Sequence, residues 1–543
     1  MTTRPPTSPA LRIFLLAVLI CSGFALFTDH RWEDFYITYR SSRNLVDGHG
    51  LVFQVGERVH TFTSPLGVLL PALALKIAGG TSDEAALWIF RIWCTCALGG
   101  AAVLLWRAAG AWGWSGFGRW FLVLLPLLES KCVDFSINGM ETAFMLLGLA
   151  WMLDILSRPS PRAALKLGLA WAGLMWTRPD GFVFGGALAL AWLAVHPTSE
   201  PAGDRRQLLR IYLRALPVAA IVYLPWLIWA WHYYGSPIPN TIVAKGLGSA
   251  LPGWREWPAI LLRQSLAFAW NGRLREVFLP SYSWFGGWPA PLVWWMQVAA
   301  ALAIVGWMVP RANPVGRAAS LAFFVSSLYG SIAPKFPWYY PCHAVAAMVA
   351  LGALAEQLGG LLVRKGLRAT LARLPMIVHL GVSATILLMA AWQLRQQQAI
   401  IEGQRAAIGR WLKAHRATPD DTVFLEPLGY IGFNSRLHMY DYPGLSAPAV
   451  IAARRAVGDD WGALIRRLGP DWLVLRRFEA IALFHSAGDL LDRYDLVADF
   501  DRSPEVAAVP WLPGRIYLEF DETFDVFHRK PAATAPAVGS PGS

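Results

Sequence analysis

Long apolar runs separated by short polar loops dominate the chain as far as residue 393. The first run, residues 11–27, follows Arg4 and Arg12 and has no small-residue cleavage site before Thr28, which favours a signal anchor over a cleaved signal peptide. Further runs of similar character predict membrane-spanning helices. Their bounds are 85–106, 118–130, 139–157, 163–177, 180–196, 211–231, 291–309, 318–333, 341–362 and 375–393. The pattern therefore predicts a polytopic α-helical membrane protein with about eleven spans.

The charges of the connecting loops predict the orientation of these spans. Basic loops lie in the cytoplasm by the positive-inside rule, and they occur here at 107–119, 158–166, 204–214, 311–317 and 364–373. All of them fall on one side only if residues 65–79, which are too few for a span, form a re-entrant or interfacial helix. The N-terminus is then cytoplasmic, and the outer loops are 28–84, 131–138, 178–180, 232–290 and 334–341.

The remainder of the chain has globular character. Residues 397–415 predict a helix that leaves the membrane, and short apolar runs predict buried strands at 422–426, 437–440 and 472–475. We expect a transmembrane catalytic module over residues 1–393, with 28–84 as its first outer loop, and a periplasmic α/β domain over 394–530. Residues 531–543, rich in Ala, Pro and Gly, predict a disordered tail.

Composition and charge narrow the class of protein. Hydrophobic residues make up 55% of the chain and charged residues only 15%, whereas soluble domains carry about 25% charged residues. The net charge is +14 up to residue 394 and −2 beyond it. The basicity therefore belongs to the loops of the membrane part. It forms no clustered basic face, which argues against nucleic acid as a partner.

Polar residues gather on the predicted outer face. Glu33 and Asp34 begin a polar helix directly after the first span, and residues 48–50 end it. A carboxylate held at a membrane surface among arginines suits base chemistry or ion transport. Asp34 is the candidate catalytic base, and the candidate substrate-binding residues are Glu33, Arg40, Arg43, His60, Glu141, Arg178, Asp180, Asn240, Lys245 and Lys335.

Several of these candidates have simpler interpretations. Arg43 could pair with Asp47, four residues further along the helix. Glu141 and Asp180 could be ordinary acidic residues at helix N-termini. His60 is more typical of a structural residue than of a metal ligand.

One carboxylate and several cations at an outer membrane face suit transfer from a lipid-linked phosphate. The carboxylate can deprotonate an acceptor hydroxyl, and Arg or Lys can stabilise the departing phosphate without a general acid. Two alternatives remain open. One is a transporter or flippase of a lipid-linked sugar, which would also need a membrane groove and buried charges. The other is a non-catalytic envelope assembly protein.

Motifs in the outer loops resemble a known family. The first outer loop reads EDFYITYR, NLVDGHGLVF, GERV and TSPL within residues 33–66, and GMET (139–142), TRPDG (177–181) and PNT with AK (239–245) follow in order. The α/β domain adds GYIGF and DYPGL within 429–445. These motifs are similar to those of C-type (GT-C) glycosyltransferases, most of all bacterial relatives of the mycobacterial terminal arabinofuranosyltransferase.

The resemblance implies a polyprenyl-phosphate sugar donor and transfer outside the cytoplasm, at the inner membrane of a bacterium. Arabinofuranose or another pentose would pass, with inversion, to an envelope glycan, a lipopolysaccharide or a protein. Asp34 matches the family's base, and Arg178, Lys245 and Lys335 are candidate phosphate ligands. The other candidate roles are phosphate binding by Arg40 or Arg43 and orientation of the sugar or the base by Glu33, Glu141 and Asp180. No cofactor is expected, and no divalent metal, because the first loop lacks an Asp-x-Asp motif.

Overall fold

The computed structural model describes residues 8–158, 160–196, 205–247, 253–260, 262, 273–329, 336–362 and 367–531. Helices form most of the described residues before residue 416. In chain order they are α1 (Pro9–Thr28), α2 (Glu33–Val46), α3 (Pro65–Ile77), α4 (Asp83–Ala111), α5 (Gly116–Leu128), α6 (Ser130–Ile137), α7 (Thr142–Ser157), α8 (Ala163–Thr177), α9 (Gly181–Val195), α10 (Arg205–Tyr234), α11 (Asn240–Gly246), α12 (Ala290–Val305), α13 (Pro314–Tyr329), α14 (Tyr340–Leu362), α15 (Leu367–Gln397) and α16 (Gly403–His415).

Six helical segments of the described chain are long and apolar enough to cross a membrane, and they lie on α1, α4, α10, α12, α14 and α15 with α16. Their outward faces carry large apolar side chains, such as Leu19, Ile221 and Leu388, that are 70%, 71% and 72% exposed. Such exposure suits lipid as the solvent. The structure confirms a helix at every predicted span. Shorter apolar helices at α3, α5, α7 and α9 have 10–17 residues, and the count of eleven spans remains a prediction.

The first outer loop folds into two helices that pack on the membrane part. The short helix predicted at 65–79 is confirmed as α3, capped by the Ser64 hydroxyl, which accepts from the Gly67 N–H at 2.7 Å. The Ser42 hydroxyl of α2 donates to the Val68 carbonyl of α3 at 2.7 Å. α2 and α3 therefore lie against each other, and α3, with 13 residues, is about 20 Å long.

The C-terminal α/β domain contains a five-stranded sheet in the order β2-β1-β3-β5-β4. Its strands are β1 (Thr422–Leu425), β2 (His438–Asp441), β3 (Trp472–Arg476), β4 (Tyr494–Asp501) and β5 (Thr523–Arg529). β1 pairs in parallel with β2 and β3, whereas β5 runs antiparallel to β3 and β4. Six helices accompany the sheet, namely α17 (Leu428–Ser435), α18 (Pro448–Val457), α19 (Trp461–Leu468), α20 (Arg477–Ser486), α21 (Ser503–Ala508) and α22 (Arg515–Glu519).

The three predicted strands are confirmed as β1, β2 and β3, whereas β4 and β5 were not predicted. β4 is an edge strand whose residues are mostly exposed, and its sequence YDLVADFD lacks the apolar run that marks a buried strand. The disordered tail predicted at 531–543 lies, apart from Pro531, outside the described residues.

The carboxyl ends of the parallel strands face the junction with the membrane helices. Glu426 follows β1 directly, and Arg476 ends β3 and donates to Glu426 at 2.7 Å. Arg40 of α2 reaches into the domain, and Trp392 of α15 donates to the Trp511 carbonyl at 2.9 Å. Since ligands bind at this edge in open α/β sheets, the domain presents it to the region where α2 begins.

Candidate active site at the junction of α2, the outer loops and the α/β domain

Asp34 lies in the first turn of α2, at this junction. Its position is fixed by Gly139, whose φ of +97° brings the loop before α7 against the ring of Phe35; a Cβ atom on Gly139 would lie 2.5 Å from Phe35 Cγ. Only glycine adopts this conformation at no steric cost. The glycine of the GMET motif therefore seats the helix turn that carries Asp34.

The Asp34 carboxylate is half-buried, and no other described residue donates a hydrogen bond to it. Burial raises the pKa of Asp34 above its ordinary value; Lys245 and Arg178 oppose this shift, and Glu426 reinforces it. A carboxylate with a raised pKa and free lone pairs is suited to accept a proton.

Lys245 is the cation whose charge most affects Asp34. It lies in the last turn of α11, with Nζ 4.5 Å from the ring centroid of Phe336 and 5.7 Å from that of Trp338. Burial lowers the pKa of Lys245, and the Asp34 carboxylate opposes that shift. Within the described chain no carboxylate lies within 4.0 Å of its ammonium group. Lys245 therefore offers a largely uncompensated positive charge, held by aromatic rings.

Arg178 forms a buried ion-pair cluster beside this pair. Its Nε and Nη2 donate to Asp180 at 3.0 and 3.2 Å, and its Nη1 lies 3.8 Å from Glu141 Oε1. The guanidinium also lies 4.4 Å from the ring centroid of Tyr339, and the Tyr329 hydroxyl donates to Asp180 at 3.3 Å. Because two carboxylates surround one guanidinium, Arg178 is already bound on one edge in a planar, two-pronged geometry. Lys245 is thus the more available anion ligand.

Glu33 and Arg40 bind the α/β domain instead of pointing at Asp34. Glu33 accepts from the Gly429 N–H, from the Tyr430 N–H at 3.4 Å and from Arg405 at 3.2 Å. Burial raises the pKa of Glu33 to about 8, although Arg405 opposes the shift. Arg40 donates to the carbonyls of Gly432 and Leu437 at 2.9 and 3.1 Å. The structure therefore does not support Arg40 as a phosphate ligand; both side chains join α2 to the domain.

Arg43 lies away from the site, on the outer surface of α2. It pairs with Asp47 at 3.0 Å and with Asp83, at the start of α4, at 3.1 Å. Its simpler interpretation, a pair with Asp47, is confirmed. Lys335 lies outside the described residues.

His60 and Asn240 connect the outer loops to one another. The His60 ring stacks on Tyr234 at a centroid distance of 4.6 Å, and its carbonyl accepts from the Asn240 N–H at 2.8 Å. Burial lowers the pKa of His60 to about 4, so the ring is neutral at physiological pH. The Asn240 side chain donates to the carbonyls of Gly444 and Leu445 at 2.9 and 3.0 Å. The PNT and DYPGL motifs thus meet through Asn240.

Two residues that are not among the candidates from the sequence lie close enough to Asp34 to interact with it electrostatically. Glu426 raises the Asp34 pKa from the side of the α/β domain. The partly buried Tyr282 lies close enough to be affected by both carboxylates, and its ring stacks on Tyr517 at a centroid distance of 4.3 Å. Glu426 could have been found, because it directly follows a buried parallel strand. Tyr282 carries no comparable signal in the sequence.

Comparisons with known proteins show what the chain is similar to. The chain is 29% identical over 274 residues to the terminal β-(1→2)-arabinofuranosyltransferase of Corynebacterium glutamicum, which covers 44% of this chain and 37% of that protein. It is 27% identical over 268 residues to the enzyme of that name from Mycobacterium tuberculosis, covering 44% and 38%. The matches thus span less than half of the length of these relatives. Residues 392–524 match a domain of unknown function, DUF8728.

Solved structures decide the fold. The oligosaccharyltransferase of Archaeoglobus fulgidus superposes with a TM-score of 0.53 at 12% identity, over 90% of this chain and 72% of that one. ArnT of Cupriavidus metallidurans, bound to undecaprenyl phosphate, superposes with a TM-score of 0.50 at 14% identity, over 97% and 100%. The chain has the C-type glycosyltransferase fold. The resemblance to terminal arabinofuranosyltransferases is likewise confirmed, and in this fold the motifs of the outer loops meet around Asp34.

Proposed function

We propose that the protein is an integral membrane glycosyltransferase that moves a sugar from a polyprenyl-phosphate donor to a cell-envelope acceptor. The observation that carries the proposal is the electrostatic influence of Lys245 on Asp34: burial raises the pKa of this carboxyl group, and the Lys245 ammonium group, held by aromatic rings, opposes the shift. The names of the relatives and the lipid phosphate bound to ArnT support the same class of donor.

In the proposed reaction the hydroxyl oxygen of the acceptor attacks the anomeric carbon of the donor sugar, and Asp34 accepts the proton of that hydroxyl group. The bond between that carbon and the phosphate oxygen breaks, and the polyprenyl phosphate leaves as an anion. Lys245 stabilises the negative charge that develops on the leaving oxygen. Arg178, which is paired with Asp180 and Glu141, maintains the geometry of the site around Asp34 and Lys245. Direct displacement inverts the anomeric configuration.

The finer assignments rest on the relatives and on the loop charges. Arabinofuranose or another pentose is the proposed sugar, and an envelope glycan, a lipopolysaccharide or a protein is the proposed acceptor. The positive-inside rule places the site on the periplasmic side of the inner membrane, with the N-terminus in the cytoplasm. No group of three or more His, Cys, Asp or Glu side chains in the described chain is placed to hold a metal ion, and metal independence remains a proposal.

The test is transfer by detergent-purified protein from a panel of synthetic polyprenyl-phosphate pentoses. We expect the wild type to consume one donor, and Asp34→Asn to lose at least about 100-fold in turnover because it removes a general base. Binding of polyprenyl phosphate should survive in the variant. Asp47→Asn is the matched control, since Asp47 lies just past the same helix and pairs with Arg43.

The transfer assay, together with a flipping assay in reconstituted vesicles, separates the alternative functions. Retained turnover in Asp34→Asn would show that another group is the base. If the wild type consumes no donor but moves a labelled lipid-linked sugar across reconstituted vesicles, the protein is a flippase. Donor consumption that Asp47→Asn abolishes equally would assign the loss to damage of α2.

A further inference from the structure

A polar cavity of about 330 Å³ lies between the ends of α4, α7 and α8 that point away from Asp34. α7 starts beside Glu141 of the candidate active site and ends at Ser157. Its 16 residues correspond to about 24 Å of helix. The cavity therefore opens at the other face of the membrane part, the predicted cytoplasmic face, and is separate from the Asp34 site.

The walls of this cavity carry more positive than negative charge. Arg107, Arg158 and Lys166 line it together with one carboxylate, that of Asp154. Asp154 pairs with Arg158 and, at 3.5 Å, with Arg107. No ion pair of Lys166 occurs in the described part of the chain. The formal balance of the lining is +2, so an anion would be attracted.

Apolar side chains form the rest of the cavity wall. Leu104 and Trp151 line it beside the charged groups. A wall that is basic at its rim and apolar toward the membrane interior matches a phospholipid. The phosphate of such a lipid lies at the membrane surface, and its glycerol and acyl chains lie below it. Basic pockets between membrane helices on the cytoplasmic side are known to take anionic headgroups, and the volume lies within the range of small-ligand sites, about 300–1,000 Å³.

We propose that this cavity binds the phosphate group of an anionic membrane lipid, at a site distinct from the one around Asp34. Lys166 and Arg107 contact the phosphate, Arg158 remains paired with Asp154, and the lipid tail follows Leu104 and Trp151 into the membrane. The proposal does not depend on the proposed transferase activity, because it concerns the opposite face of the protein.

The test is native mass spectrometry of the full-length protein in detergent with added lipids of defined headgroup. The probes are the anionic lipids phosphatidylglycerol and undecaprenyl phosphate. Phosphatidylcholine, which is zwitterionic and has no net charge, is the control, and inorganic phosphate serves as a competitor. We expect retention of an anionic phosphate lipid over the zwitterionic phosphatidylcholine. This retention should fall roughly fivefold for Lys166→Gln and roughly twentyfold for Lys166→Gln combined with Arg107→Gln. Lys166→Gln leaves the pairs of Asp154 intact, so folding should be preserved.

Arg311→Gln is the matched control, because Arg311 is an exposed cation of another basic loop and does not line the cavity. Preference for phosphatidylglycerol identifies a phospholipid site, and preference for undecaprenyl phosphate identifies a polyprenyl-phosphate site; each supports the proposal if Lys166→Gln weakens it. Equal retention of all lipids, binding of inorganic phosphate alone, or an equal loss in Arg311→Gln would overturn it.

Discussion

The charged neighbours of Asp34 act on its proton affinity in opposite directions. Lys245 lowers the pKa of the carboxyl group and Glu426 raises it, whereas burial raises it most. A base must be deprotonated to act, so the rate should fall on the acid side as Asp34 takes up a proton. Lys245→Gln removes the stabilising cation and should move this acid limb to higher pH, and Glu426→Gln should move it to lower pH.

These opposite shifts are measured as normalised pH profiles of kcat/KM, so that a general loss of activity does not affect the comparison. Glu426→Gln leaves Arg476 with Asp521 and Glu479 as partners, which limits damage to the domain. Arg43→Gln, on the far side of α2, should leave the profile in place. Shifts of the same sign in the first two variants would mean that Asp34 is not the titrating base.

At the scale of the element, α2 depends on a glycine in another loop. In Gly139→Ala the new methyl group would lie 2.5 Å from Phe35 Cγ, at a φ of +97°, and such strain costs about 1–3 kcal/mol. The clash would shift the turn that holds Asp34, so both the thermal stability in detergent and the turnover should fall. Gly56→Ala is the control: its φ is +90°, but nothing lies within 4 Å. Equal losses in both variants would mean that backbone strain alone, and not the contact with Phe35, causes the loss.

Elements with a simple hydrophobic pattern could be predicted from the sequence, and elements without one could not. Every membrane run became a helix, and the apolar strands β1 and β3 were located because both of their faces are buried. β4 was missed because an exposed edge strand needs no apolar face. Asp34 and Lys245 could be selected by residue type and side of the membrane. The role of Arg40 could not, because the carbonyls of Gly432 and Leu437 that it binds are nearly 400 residues away.

At the scale of the whole molecule, the α/β domain is attached to the membrane part at several separate points. Glu33 and Arg40 bind it from α2, Asn240 from the start of α11, and Trp392 from α15. Several motifs of the outer loops therefore contact the motifs GYIGF and DYPGL of the α/β domain. Glu33 and Asn240 therefore hold the domain in place, and their selection as substrate ligands stays a prediction.

Gly429 is the tightest of these attachments, and its replacement should separate the two parts. A Cβ atom there would lie 2.1 Å from the backbone oxygen of Glu33, which cannot rotate away as a side chain could. Gly429→Ala should therefore push α17 off α2, at a cost of about 1–3 kcal/mol, and should lower donor turnover. Hydrogen exchange would show faster exchange in the first turn of α2 and at the end of β1, with the membrane helices unchanged. Gly488→Ala, in the same domain with nothing within 4 Å, should change neither. If Gly429→Ala loses protection only within the α/β domain and keeps its turnover, the contact with Glu33 does not hold the domain in place for the reaction.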